Sequence, residues 1–167
     1  MKILLLTKIF FLTTSIAIFP RMAGAEPIHQ WEVFSISFKS LHAYSNPYKE
    51  IPVTQGGDLL KVTFRGTAGE ALNKNITVTG FWNGGSEWRV NFSAPFTGSW
   101  KYTTLSADKG MNGKTGNFEV VAWKEDEKKA NQTRHGLIRV QTNGKTGGRF
   151  FEYSDDNPFP WVGGRWW

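Results

Sequence analysis

The acids, histidines and tryptophans are the first residues to test for chemistry. Two carboxylates that share acid–base work must face each other across the bond being cleaved, roughly 5 to 9.5 Å apart. The chain offers Asp155-Asp156 in the stretch SDDNPF, and Glu125-Asp126-Glu127 in the run KEDEKKANQTRH. Asp155 and Asp156 precede Asn157-Pro158, where Asp is favoured for hydrogen bonds to its own backbone, so they read as turn residues and not as an opposed pair. His29, His42 and His135 lie far apart without ligand spacing and read as surface histidines. With no cysteine, a thiolate zinc or iron–sulfur site is excluded. No G-x-S-x-G nucleophile turn or phosphate-cradling glycine loop is present. The sequence therefore assigns no catalytic residue, no metal site and no cofactor.

What remains is aromatic. Indole rings stack on the apolar C–H faces of sugars, and Trp31, Trp82, Trp88, Trp100 and Trp123 fall between residues 31 and 123. Trp88 and Trp100 are in phase with apolar neighbours two residues away and read as core. Trp82 borders an Asn-Gly-Gly stretch, while Trp31 and Trp123 stand at strand ends. These three are the candidate carbohydrate-binding residues, against edge packing as the alternative, since tryptophan is highly buried on average.

The elements that must position them have a period of two. Phe34, Ile36 and Phe38 alternate with Val33, Ser35 and Ser37; Leu60, Val62 and Phe64 with Lys61, Thr63 and Arg65; Ile76 and Val78 with Thr77 and Thr79. Trp88, Val90 and Phe92, then Trp100, Tyr102 and Thr104, then Phe118, Val120 and Ala122 continue the pattern. Such runs are strands with one wet and one dry face. They are separated by Asn46-Pro47, Gly56-Gly57, Gly66, Pro95 with Gly98, and Asn112-Gly113. WNGGSEW predicts a hairpin, with two strands joined across Asn83 to Ser86. Six or seven strands without a helical stretch predict an all-β chain, an antiparallel β-sandwich of immunoglobulin-like architecture, over residues 26–123.

Residues 1–25 carry Lys2 and Lys8, an apolar stretch from Ile9 to Phe19, and the small-residue series Ala23-Gly24-Ala25. This is the order of a secretory signal peptide, with cleavage between Ala25 and Glu26. The apolar stretch is far short of the roughly 20 residues that span a bilayer, so no membrane anchor is expected after cleavage. These residues hold three cations and no acid, so the chain's net charge of +6 falls to +3 without them. Lys and Arg are interleaved with Asp and Glu, which argues against a nucleic-acid partner. An exported, periplasmic or extracellular protein is expected. Sequons at Asn75, Asn91 and Asn131 read as chance matches, Asn91 lying within a strand.

After Trp123 the composition changes. Residues 124–135 are charged and polar and read as a linker or short exposed helix. Leu137, Ile138 and Val140, then Phe150 and Phe151, then a turn over Ser154 to Asn157, predict a small hairpin followed by an apolar run from Phe159 to Val162. Residues 124–167 are too few for a core of their own, since domains typically need about 50 or more.

The stretches VFSISFKSLHAYSNPYKEIPV, VTGFWNGGSEWRVNFSAPFTGSWKYTT and GKTGNFEVV together resemble the N-terminal immunoglobulin-like domain, of unassigned function, of apiosidase-like glycoside hydrolases. GLIRVQTNGKTGGRFFEYSDDNPFPWVGGRWW is similar to the opening of the catalytic barrel that follows, with its G-x-L-R-V, aromatic-pair, D-G-x-P-F and G-D-T-x-W series. The resemblance implies that residues 136–167 are a truncated start of a (β/α)8 barrel, with Phe159 to Gly163 as its first strand. It also implies that Trp166 and Trp167 are buried by barrel residues, and that the catalytic carboxylates lie on later strands outside this chain. Gly164 and Arg165 stand where the pattern has Asp and Thr, and Asn157 replaces another turn residue. The expected function is an exported, non-catalytic accessory module of a glycoside hydrolase that contacts polysaccharide, its partner the missing catalytic barrel. A stand-alone carbohydrate-binding or cell-surface adhesion module is the alternative.

Overall fold

The computed structural model describes residues 27–50, 59–141 and 150–162. The expected cleavage site at Ala25 and Glu26, the glycines at 56–57 and 144–148, and Gly164, Arg165, Trp166 and Trp167 lie outside the described residues. In chain order the elements are β1 (Ile28–His29), β2 (Val33–Tyr44), a one-turn helix α1 (Pro47–Glu50), β3 (Leu60–Gly66), β4 (Asn75–Thr79), β5 (Phe81–Ser93), β6 (Gly98–Ser106) and β7 (Thr115–Val121). Then come α2 (Glu125–Ala130), a 3-10 turn (Gln132–His135), β8 (Ile138–Val140), β9 (Phe151–Tyr153) and β10 (Pro158–Phe159).

Strands form where the period-two pattern places them. Five make one sheet in the order β1-β7-β6-β3-β4, antiparallel except that β1 runs parallel to β7. β2 and β5 pair antiparallel as a second layer. The dry faces meet. Leu60, Val62 and Phe64 of β3, Trp100 of β6 and Val120 of β7 share one core with Phe38 of β2 and Trp88, Val90 and Phe92 of β5. Phe64 and Phe92 stack across the layers at 3.8 Å with an interplanar angle of 4°, and Phe34 meets Phe118 edge-on at 4.9 Å. Full burial of each such side chain contributes about 1.5–3 kcal/mol, so a chain without disulfides holds together on packing.

The predicted hairpin across Asn83 to Ser86 does not form. β5 runs unbroken from Phe81 to Ser93 because β2 pairs along it as far as Tyr44 opposite Gly85. The left-handed glycines Gly84 and Gly85, with φ of 108° and 53°, are absorbed into a register shift of this pair and do not reverse the chain. The chain changes layers at Gly80, where an added Cβ would lie 2.5 Å from Leu60 Cδ2. Ala122, expected to close the inward series, is exposed, since β7 ends at Val121.

The register shift between Lys39 and Tyr44 is pinned by one buried acid. Asp108 Oδ1 accepts from Leu41 N at 3.3 Å and Gly110 N at 2.7 Å, and Oδ2 from Tyr44 Oη at 2.9 Å and from Ser40 Oγ. Burial alone would raise the Asp108 pKa, but the hydrogen bonds from Ser40, Tyr44, Gly110 and Leu41 outweigh it and hold the carboxyl below its usual range. The same site raises the Tyr44 phenol, chiefly through burial.

The last strands form a separate antiparallel sheet, β10-β9-β8. The hairpin expected after Gly136 is present, with Ile138 opposite Tyr153 and Val140 opposite Phe151. The turn over Ser154 to Asn157 is present too, closed by Tyr153 N to Asn157 O at 2.8 Å and Asp156 N to Tyr153 O at 3.0 Å. One face carries Ile138, Val140, Phe151, Tyr153 and Phe159, with Trp161 against Phe151 at 5.3 Å. Ile138, Val140, Phe151 and Trp161 are exposed, whereas Tyr153 is buried and Phe159 half-buried, the two rings meeting at 5.2 Å.

Candidate functional site

Two of the three candidate tryptophans line one cleft. Trp31 and Trp123 bound a hollow of about 320 Å³ together with Glu32, Val33, Asn131, Thr133 and Arg134. Trp82 is not among its walls. It is half-buried against the core edge, and its Nε1 donates to Gly85 O at 2.9 Å across the irregular stretch of β5.

The parallel pairing of β1 with β7 builds one side. Gln30 N donates to Val121 O at 2.9 Å, and Trp123 Nε1 returns a bond to Gln30 O at 2.8 Å. His29 then lies flat on Trp123, with ring centroids 3.8 Å apart and planes 10° from parallel. The chain turns over His29 to Glu32, closed by Glu32 N to His29 O at 3.1 Å. Trp31, third in that turn, has a φ of 65°, the left-handed region that usually takes glycine. A bulky residue there costs on the order of 1–3 kcal/mol and persists only where its surroundings hold it. Trp31 N donates to Ala94 O and Ser93 Oγ to Trp31 O, both at 2.9 Å.

The other side comes from the stretch read as a linker or short exposed helix. It takes the helical form and packs. Glu125, Asp126 and Glu127 sit in the first turn of α2 and Lys128 and Lys129 in the last, the order the helix dipole favours. Glu127 Oε2 accepts from Lys124 N at 2.9 Å. Asn131 Oδ1 accepts from Thr133 N at 3.0 Å and Thr133 Oγ1 at 2.8 Å, starting the 3-10 turn. The turn carries Arg134 over Trp123, with Cζ 4.3 Å from the ring centroid, while Nη1 donates to Glu127 O at 3.0 Å. Two flat groups this near one ring centre cannot share a face. Trp123 is therefore covered on both sides, by His29 and by Arg134, and offers the cleft its edge.

A second set of contacts fixes the tail sheet to the same place. Lys128 Nζ lies 5.8 Å from the Trp31 ring centroid and 3.5 Å from Asp155 Oδ2. His135 Nδ1 meets Asp155 Oδ2 at 2.7 Å. Burial would raise the Asp155 pKa, but hydrogen bonds from His135 and Asn157 outweigh it and lower the carboxyl. Gly136, with φ of 94°, fits against Trp31 where a Cβ would approach Cε2 to 2.8 Å. Asp156, also left-handed with φ of 67°, pairs with Arg139. Asp155 and Asp156 thus serve a turn and a clasp. His29 and His135, expected at the surface, are both largely covered by these partners, whereas His42 is exposed.

The roles of His29, Lys128 and Arg134 went unread in the sequence. The KEDEKKANQTRH composition signals a solvated face, and nothing in it says which cations fold back onto the indoles.

Residues 27–107 match a family model described as a domain of unknown function, DUF5060. Over 81% of its length the chain superposes on a crystal structure of a putative glycoside hydrolase from Bacteroides vulgatus ATCC 8482, with 25% identity and a TM-score of 0.55. The chain is thus similar to a domain of unknown function and to a part of that protein. The matched region spans 21% of that hydrolase chain. No curated protein sequence matches the chain. Among the described residues, no cluster of three or more His, Asp or Glu could hold a metal ion, and no helix is long and apolar enough to cross a membrane.

Proposed function

We propose that this chain is an exported, non-catalytic accessory module of a glycoside hydrolase, and that its three-stranded sheet belongs to the start of the catalytic barrel, whose other strands cover it. The single observation behind this is the likeness to one fifth of a much larger hydrolase, the fraction expected of an accessory domain. The exposed part of the apolar face, with Ile138, Val140, Phe151 and Trp161, supports it, because exposed contiguous apolar surface marks interaction sites. We read the two β layers as an immunoglobulin-like sandwich: β1 parallel to β7, and β2–β5 opposed to the β7-β6-β3-β4 sheet, agree with that architecture. The three-stranded sheet is then the opening of the barrel domain, and the polysaccharide substrate is the second partner.

Incubation of the purified chain with a panel of plant and algal polysaccharides tests the non-catalytic part. No release of reducing ends is expected, and turnover above background would overturn the reading.

A further inference from the structure

The walls of the Trp31–Trp123 cleft carry one guanidinium, Arg134, and one carboxylate, Glu32. We infer that the cleft binds a carboxylate-bearing sugar, a uronic acid unit of a polysaccharide, through Arg134. This deepens the proposed polysaccharide contact and rests on it.

Three observations carry the inference. Arg134 is held in place by its stack on Trp123 at 4.3 Å and by one bond to Glu127 O at 3.0 Å, and no carboxylate lies within ion-pair distance of it among the described residues. Glu32, the one carboxylate on the cleft wall, keeps its charge and sits on the His29 side, 3.5 Å from His29 Nδ1. Glu32 accepts from His29 N at 3.0 Å, and Glu127 accepts from Lys124 N at 2.9 Å. A planar guanidinium immobilised in this way loses little entropy on binding and matches a carboxylate with paired N–H donors.

The remaining walls suit a sugar ring. Trp31 supplies aromatic surface in a strained backbone position that the fold maintains with two backbone-directed hydrogen bonds. Asn131, also on the wall, uses its carbonyl oxygen for Thr133, which leaves its amide N–H groups as donors. The volume of about 320 Å³ is at the lower end of small-ligand sites, and such sites favour junctions between structural units.

Isothermal titration calorimetry on the full chain tests it, with galacturonate and mannuronate trisaccharides, their methyl esters, and free acetate as probes. Binding of an acidic trisaccharide is expected, at least tenfold weaker for its ester, which keeps the ring and loses the charge. Acetate alone is expected to bind at least a hundredfold more weakly, which separates a sugar subsite from a bare carboxylate site. Arg134→Lys keeps the charge but loses the fork and the flat stack, and should weaken binding about tenfold with an unchanged melting temperature. Lys101→Gln, an exposed cation on β6, should leave the affinity as it is. Equal affinity for acid and ester, no binding of either trisaccharide, or indifference to Arg134→Lys would overturn the inference. None of these results bears on the turnover test, so the accessory reading stands or falls separately.

Discussion

Phe64 and Phe92 lie ring to ring at 3.8 Å between the two β layers, whereas Val140 and Trp161, on the face of the three-stranded sheet, look out on solvent. Both regions are strands with one apolar face, built from the same residue types by the same alternation. The difference is what covers that face. The first is complete within the chain and takes its stability from burial. The second has two or three residues per strand, too little backbone pairing to be stable alone. It is held by the clasp of Lys128, His135, Asp155 and Gly136 onto Trp31.

That contrast can be broken most sharply in the core. Trp88→Ala should cost about 3–5 kcal/mol, read as a fall in the denaturation midpoint, because a fully buried indole leaves a cavity that neighbours only partly fill. Asp108→Ala comes next, at about 1–3 kcal/mol by chemical denaturation, since it strands the buried Ser40 hydroxyl and the part-buried donors at Leu41 and Gly110. The sign of its pH dependence follows from the lowered carboxyl. A folded pKa below the unfolded value, near 3.9, gives stability that is present above that value and lost as pH falls through the folded one. Melting temperature should therefore drop below about pH 4 in the wild type, and drop less steeply in Asp108→Asn.

Smaller effects belong to the clasp. Gly136→Ala forces a Cβ against Trp31 at a positive φ and should cost about 1–2 kcal/mol locally. Hydrogen exchange should then accelerate over residues 124–140 while β3 and β6 keep their protection. Equal acceleration throughout would mean that the two regions are one cooperative unit.

The strands were legible because β3, β6 and the regularly paired stretches 33–39 of β2 and 87–93 of β5 obey period two, and a buried face tolerates no slip of register. The Asn-Gly-Gly stretch misled because a local turn signal yields when a long neighbouring strand offers continuous pairing, as β2 does to β5. The cleft was half legible. Trp31 and Trp123 stood out as strand-end indoles, but tryptophan carries no signal for a left-handed φ. The link from Trp123 to Arg134 depends on a helix folding back, which periodicity over six residues cannot disclose. Asp108 was invisible for a similar reason: an acid before Lys-Gly reads as a loop residue until its four donors converge on it.

The central claim is that the three-stranded sheet leaves Ile138, Val140 and Phe151 of its apolar face uncovered, beside a β core that is packed. Fluorescence of a hydrophobic-surface dye on the folded wild type and on Val140→Thr/Phe151→Thr measures it directly. The account predicts strong dye binding by the wild type, reduced by more than half in the variant, with melting temperatures within a few degrees. Weak dye binding by the wild type, or a loss of stability in the variant comparable to that of Trp88→Ala, would contradict it.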